Sequence, residues 1–233
     1  MKSKLFLFAG LVFAFFMFRL VMNIAGLAIT YGEFFLGMCY YHGYGVTEDP
    51  SKACEWWTKS AKRGEQTSQY NLALCYEDGY GVTKDLDKAI EWYTKSAEQG
   101  DLSAQYNLGL CYERGEGVTK DLSKAFEWYT KPAEQGYPVA QCSLGKCYAE
   151  GKGVTKDLSK AFEWWTKSAE QGLPAAQYYL GECYEYGRGC EKDMKQALQL
   201  YGKVGACESD NHEISELKER AKKKLAKLSK PKV

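Results

Sequence analysis

The chain has 233 residues, 45% of them hydrophobic and 15% aromatic, with 31 Lys and Arg against 30 Asp and Glu and a net charge of +1. That apolar share excludes a disordered chain, and the balanced charge supplies no general basic field for nucleic acid. Nine cysteines fall short of a disulfide scaffold, and two histidines leave little for a histidine-rich metal site.

Residues 1–28 read as a leader. Lys2 and Lys4 precede an uncharged apolar run from Leu5 to Phe18, a length that suits a signal-peptide core better than a membrane span. Arg19 interrupts the run, and Leu20–Ile29 is mostly apolar again. Gly26-Leu27-Ala28 offers small residues for cleavage ahead of Ile29. Alternatively, residues 5–29 stay as an uncleaved anchor in contact with the membrane, Arg19 snorkelling. Both readings place the remainder of the chain outside the cytoplasm, on a periplasmic, extracellular or luminal side. A third makes the segment an apolar helix packed on the start of that remainder.

Residues 29–208 are five consecutive 36-residue repeats: 29–64, 65–100, 101–136, 137–172 and 173–208. Each predicts two amphipathic helices. In the first helix, column four is Gly32, Ser68, Ala104, Ala140, Ala176, and column eight is leucine throughout. Column eleven is always cysteine and column twelve tyrosine, which completes one helical stripe. Pro138 and Pro174 fit its first turn. Paired glycines two residues apart, beginning at Gly43, Gly79, Gly115, Gly151 and Gly187, stop it in a left-handed turn. Asp49, Asp85, Asp121, Asp157 and Asp193 are the expected N-caps of the second helix. That helix buries Leu86, Ala89, Ile90, Tyr93 and Ala97 in the second repeat, with Trp92 beside the stripe. Its outer face repeats Glu–Lys at i, i+4 (Glu55–Lys59, Glu91–Lys95, Glu127–Lys131, Glu163–Lys167), a solvated arrangement that needs no ligand.

No single pair of helices buries both stripes, so stacking must, which gives an all-α fold: an α/α solenoid, or superhelix. The segment AQYNLGLCYERGEGVTKDLSKAFEWYTKPAEQG, Ala104–Gly136, closely resembles a Sel-1-like repeat. That family is a cousin of the tetratricopeptide repeats with a longer Gly-x-Gly connection. The resemblance covers residues 29–208. Three positions depart from it. Pro132 replaces a serine late in a helix and is expected to kink or shorten it. The fifth repeat loses the tryptophan (Leu200) and the closing glycine (Glu208). Gly32 and the adjoining leader make the first helix of the first repeat atypical.

Residues 209–233 predict a basic C-terminal capping helix. Asp210 and Glu213 form a capping box, and Ile214, Leu217, Ala221, Leu225 and Leu228 form a stripe. Lys218, Arg220, Lys222, Lys223, Lys224, Lys227, Lys230 and Lys232 make its far side basic, which reads as a solvated cap rather than a nucleic-acid or membrane surface.

Five cysteines, Cys39, Cys75, Cys111, Cys147 and Cys183, share column eleven. Stacked helices lie about 8–10 Å apart, beyond the roughly 7 Å reach of a disulfide, so these read as small buried hydrophobes. Two bridges remain geometrically possible, Cys39–Cys54 and Cys183–Cys190. In some exported bacterial relatives regularly spaced cysteines clip successive helix pairs; the resemblance therefore implies two per clip, and most repeats here have one.

Ser143 to Lys146 matches Ser-x-x-Lys, and Ser209-Asp210-Asn211 matches a second serine β-lactamase motif. The third motif, Lys-Thr-Gly, is missing, and nearly two repeats separate the two that are present. A nucleophile and its helper must approach within about 3 Å, so chance explains the match better. His42 and His212 stand apart, and the two-glycine turn lacks Gly-Lys-Ser/Thr. No catalytic residue, cofactor or metal is expected.

On the first helix, columns six, seven and ten point away from the buried stripe. In tetratricopeptide-like solenoids that direction is the concave groove. Its content varies along the chain: Tyr70, Asn71 and Leu74, then Tyr106, Asn107 and Leu110, then Lys146, then Tyr178 and Tyr179. Asn71 and Asn107 match the position where such grooves hold a peptide backbone or carboxylate. The expected function is a non-enzymatic scaffold or adaptor that binds a protein or peptide in this groove. The alternatives are a β-lactamase-like hydrolase or a membrane-tethered spacer. Nothing in the pattern fixes an oligomeric state.

Overall fold

A computed structural model describes residues 26–208 and 212–228. The leader up to residue 25, the Asp210–Glu213 capping box, Ser209-Asp210-Asn211, Lys230 and Lys232 involve positions outside those described. Among the described residues every regular element is an α-helix, and the helices alternate with turns as helix–turn–helix pairs of an α/α solenoid. Helix α1 covers residues 26–42. There follow α2 (Pro50–Lys62), α3 (Gln66–Asp78), α4 (Leu86–Glu98), α5 (Leu102–Arg114), α6 (Leu122–Glu134), α7 (Pro138–Glu150), α8 (Leu158–Glu170), α9 (Pro174–Tyr186), α10 (Met194–Ala206) and α11 (His212–Leu228). None of the described helices is long and apolar enough to cross a membrane.

Local chemistry sets where these helices begin and end. Asp49, Asp85, Asp121, Asp157 and Asp193 each accept the backbone N–H three residues ahead at 3.0 Å. Such a cap contributes about 1 kcal/mol. The bonds also hold the Asp49 and Asp85 carboxyls below the ordinary aspartate value. First helices stop at a left-handed glycine, as Gly151 does at φ 74°. The second glycine of the pair has a different reason. At Gly153, φ 70°, a Cβ would lie 2.0 Å from the carbonyl oxygen of Leu122, so only glycine lets this turn rest on the start of α6.

The chain divides into two compact units, one ending at Asp101 and the other starting at Leu102. In unit 1, α2 packs on α3 and α3 on α4. Ala53, Cys54, Trp57, Ala61, Leu72 and Cys75 form its core, with Phe34 and Met38 of α1 against them. In unit 2 each helix from α5 to α11 packs on the next. One cluster joins Ala125, Tyr129, Ala133, Ala140, Leu144 and Cys147, and a second gathers around Trp165 and Leu180. Leu217 and Ala221 of α11 close a third cluster with Tyr178, Ala197, Tyr201 and Val204.

Two expectations need correction. Pro132 leaves α6 at thirteen residues, the length of its sister helices α4 and α8. What it removes is a hydroxyl. At the matching positions Ser60, Ser96 and Ser168 donate to the carbonyls of Thr30, Gln66 and Pro138 at 2.9, 3.1 and 2.7 Å. The outer face is likewise not a row of Glu–Lys pairs. Glu91 and Lys95 do pair, at 2.5 Å. Yet Lys59, Lys95, Lys131 and Lys167 all lie over the ring of the tryptophan three residues earlier, 3.8–4.5 Å from its centroid. Exposed cation–π contacts of this kind contribute about 0.5–1 kcal/mol.

Candidate functional site

In unit 1 the expected groove residues Tyr70, Asn71 and Leu74 are half-buried on α3. The Tyr70 ring centroid lies 5.9 Å from that of Tyr93. Asn71 and Leu74 line a cavity of about 180 Å³ with Tyr41, Trp57, Asp78 and Tyr80. Tyr41 touches the rings of both Trp57 and Tyr80 at 5.4 Å, so the walls are aromatic and the charge at the rim is negative.

In unit 2, Tyr106, Asn107 and Leu110 are half-buried on α5 and Lys146 on α7. Tyr106 packs on Tyr129 at 5.6 Å and Tyr137 at 5.9 Å, and its hydroxyl is within hydrogen-bonding reach of Ser143. Burial pushes its phenol up from the ordinary tyrosine value. Tyr106, Leu110, Ser143 and Lys146 line a cavity of about 550 Å³ together with Arg114, Lys120 and Lys152. Lys146 and Tyr179 also open on a second cavity, of about 400 Å³, beside Trp165, Glu182 and Arg188. Tyr179 stacks on Trp165 at 5.2 Å. Tyr178 is placed differently from expectation. It is 2% exposed, because α11 lies across this face of α9 with Leu217 and Ala221 against the ring. The Arg220 guanidinium sits 4.8 Å above the same ring. Tyr178 therefore belongs to the core under α11.

The sequence reading missed a set of buried Tyr–Glu pairs. Tyr93, Tyr129 and Tyr201 donate their hydroxyls to Glu77, Glu113 and Glu185. The signal was present: the glutamate at column thirteen occurs where column twenty-nine is tyrosine, whereas Trp57 and Trp165 are matched by Tyr41 and Ala149. Lys224 of α11 completes the last pair, donating to Glu185 at 2.7 Å and lying 3.6 Å from Glu182. Burial works against charge on Glu185, but Lys224, Tyr201 and Tyr186 hold its carboxyl below the ordinary value.

All nine cysteines are free thiols. Cys54 donates to the carbonyl of Tyr80 at 3.1 Å and shares a hydrogen bond with Cys75. Its partners thus lie on α3 and the turn after it, not on α1 where Cys39 stands. Cys183 and Cys190 pack in one cluster, and burial pushes the Cys183 thiol up to about 12. His42 stacks on Tyr44 and meets the Tyr41 ring edge to face. Among the described residues no group of His, Cys, Asp and Glu could hold a metal.

A family model described as Sel1 repeat matches residues 30–65, 66–101, 102–137, 138–173 and 174–203. The chain is a Sel1-repeat protein. Sel1-repeat proteins generally bind other proteins and are typically non-catalytic scaffolds. Among solved structures, the chain is similar to a protective antigen of uropathogenic Escherichia coli that displays an SLR fold, with 36% identity and a TM-score of 0.74. That match covers 77% of this chain and 38% of the antigen, so this Sel1-repeat chain spans well under half of it. A Sel1 repeat protein from Oxalobacter formigenes is 30% identical with a TM-score of 0.72, covering 82% of this chain and 84% of its own. A Sel1 repeat protein from Klebsiella pneumoniae, 20% identical with a TM-score of 0.50 over 88% and 96% of the two chains, shares the fold. A comparison with curated sequences gave no match.

Proposed function

We propose that this Sel1-repeat chain is a non-enzymatic adaptor whose first-helix faces hold a short segment of a partner protein. One observation carries the reading. The positions facing the core repeat almost unchanged, whereas those lining the cavities vary along the chain, as one column does in passing from Leu74 and Leu110 to Lys146 and then Glu182. Invariance inside and variation at cavity walls suits a scaffold that presents selective contacts. The leader is read as an export signal or anchor that places the repeats outside the cytoplasm.

The test is crosslinked affinity capture from the native host, with Tyr70, Asn71, Tyr106 and Asn107 replaced together by alanine. Partner capture should fall at least tenfold while circular dichroism keeps its helical signature. Unchanged capture by a folded variant would leave the chain a spacer. N-terminal sequencing of the captured protein reads the leader at the same time, since a start near Ile29 means cleavage.

A further inference from the structure

Lys146 breaks a column that is apolar through the first three repeats and charged again at Glu182 in the fifth. The same column holds Leu74 in the second repeat and Leu110 in the third. Here the chain sets a half-buried ammonium instead, and among the described residues it makes no ion pair with a carboxylate. Its neighbours are Tyr179, with the ring centroid 5.1 Å away, Cys142 and Tyr106. Burial opposes the charge, but these neighbours outweigh it and hold the pKa above the ordinary lysine value, so the group is cationic at neutral pH. The result is a half-buried cation with no carboxylate set against it. Departures of that kind concentrate where a ligand completes the arrangement.

Three cavities of unit 2 meet at this residue. In the largest, Arg114, Lys120 and Lys152 add positive charge. The acid there, Glu113, is already engaged by the Tyr129 hydroxyl at 2.6 Å and by Lys152 at 3.5 Å. On the other side is a recess of about 220 Å³ with walls of Val139, Leu173 and Pro174 and, from α11, Ile214 and Leu217. Tyr106 and Ser143 line both spaces, with their hydroxyls within hydrogen-bonding reach of each other.

We propose that this junction binds a short partner segment in which a carboxylate stands beside an aliphatic side chain. The carboxylate takes Lys146, with Ser143 and Tyr106 as hydroxyl donors, and the aliphatic group fills the recess against Ile214 and Leu217. One ammonium matches one monoanion. The proposal rests on the adaptor reading above and names the chemistry of its ligand in unit 2. It also makes α11 a wall of the binding site rather than a cap alone. The carboxylate belongs to an acidic side chain or to a chain end, and the two sources are separable.

The full chain is titrated with N-acetyl-Leu-Asp-amide, N-acetyl-Leu-Asn-amide, N-acetyl-leucine and N-acetyl-leucinamide. The reporter is the δ1-methyl resonance of Ile214, whose only fellow isoleucines are Ile24, Ile29 and Ile90. A side-chain source gives saturable shifts with the Asp peptide at least tenfold tighter than with its Asn counterpart. A chain-end source gives the same preference for N-acetyl-leucine over its amide. Lys146→Leu should erase either preference and keep the apolar contact, and Lys146→Arg should retain it. No Ile214 shift with any probe, equal affinity within both pairs, or a preference that survives Lys146→Leu overturns the proposal. The adaptor reading is judged separately. If the four-residue alanine variant loses its partner while Lys146→Leu captures it normally, the groove stands and the carboxylate site falls.

Discussion

Two pockets, two repeats apart in sequence, share one frame and carry different chemistry. Tyr41, Asn71, Leu74, Cys75 and Tyr80 line the first, and the same repeat positions are Glu113, Ser143, Lys146, Cys147 and Lys152 in the second. Of these five only the cysteine is kept. Its side chain points inward, 3% exposed at Cys75 and 5% at Cys147, and answers to packing. The other four differ between the two pockets and set the character of each lining. One outcome is a small aromatic recess with an acidic rim, the other a larger basic one. Caps, paired glycines and small helix-contact residues hold the frame, so the lining can be rewritten without disturbing it.

The largest effect should come from the frame, and equally in both units. Gly153→Ala forces a Cβ onto the Leu122 carbonyl, and Gly81→Ala does the same to Pro50, whose oxygen would lie 2.2 Å away. Each should lose about 3 kcal/mol in urea denaturation. A loss at one and not the other would show that the two pockets do not rest on a common frame.

An intermediate effect separates unit 2 through its extra helix. Lys224→Met leaves Glu185, 6% exposed, without its cation and should cost about 2 kcal/mol. The pH dependence has a defined sign. Glu185 titrates below its ordinary 4.5 when folded, so its contribution is full above that value and fades as pH falls through the folded pKa. Wild type should therefore lose stability more steeply than Lys224→Met on acidification below about pH 4.5. Parallel curves would mean that the pair does not secure α11.

The smallest effect concerns the linings themselves. Lys146→Leu should change stability by less than about 0.5 kcal/mol, since burial of the charge and the neighbours that favour it oppose each other, and Leu74→Lys should lower it by about 0.5–1 kcal/mol. A destabilising Lys146→Leu would make that lysine a structural residue and the contrast between the pockets incidental.

Most of the frame was legible because it is written five times. A cap, a stop and a stripe need only local spacing, and Asp49 or Gly151 behaves as its neighbours dictate. The Tyr–Glu pairs were legible too, through two columns that change together. Tyr178 was not: its burial depends on where a helix outside the repeat pattern comes to rest, and spacing within a repeat says nothing of that. Nor was the indole contact of Lys95 and its counterparts, of which Lys95 also keeps its glutamate. An indole at i−3 and a carboxylate at i−4 compete for one flexible ammonium, and only the side-chain geometry decides. The partner of Cys54 likewise depended on packing between repeats, not within one.

The serine ties have a consequence for how such a chain is inherited. Ser60 to Thr30, Ser96 to Gln66 and Ser168 to Pro138 each span 30 residues, as do the bonds from Gln99 to Gln69 and from Gln171 to Gln141. Donor and acceptor always fall inside one 36-residue period. A duplicated segment of the gene therefore arrives with both halves of its own fastening, and nothing elsewhere must change to receive it. Loss of the hydroxyl, as at Pro132, harms one copy and is not passed to its neighbours. Lengthening by whole copies is thus nearly free of new demands, while each copy's lining remains open to separate selection.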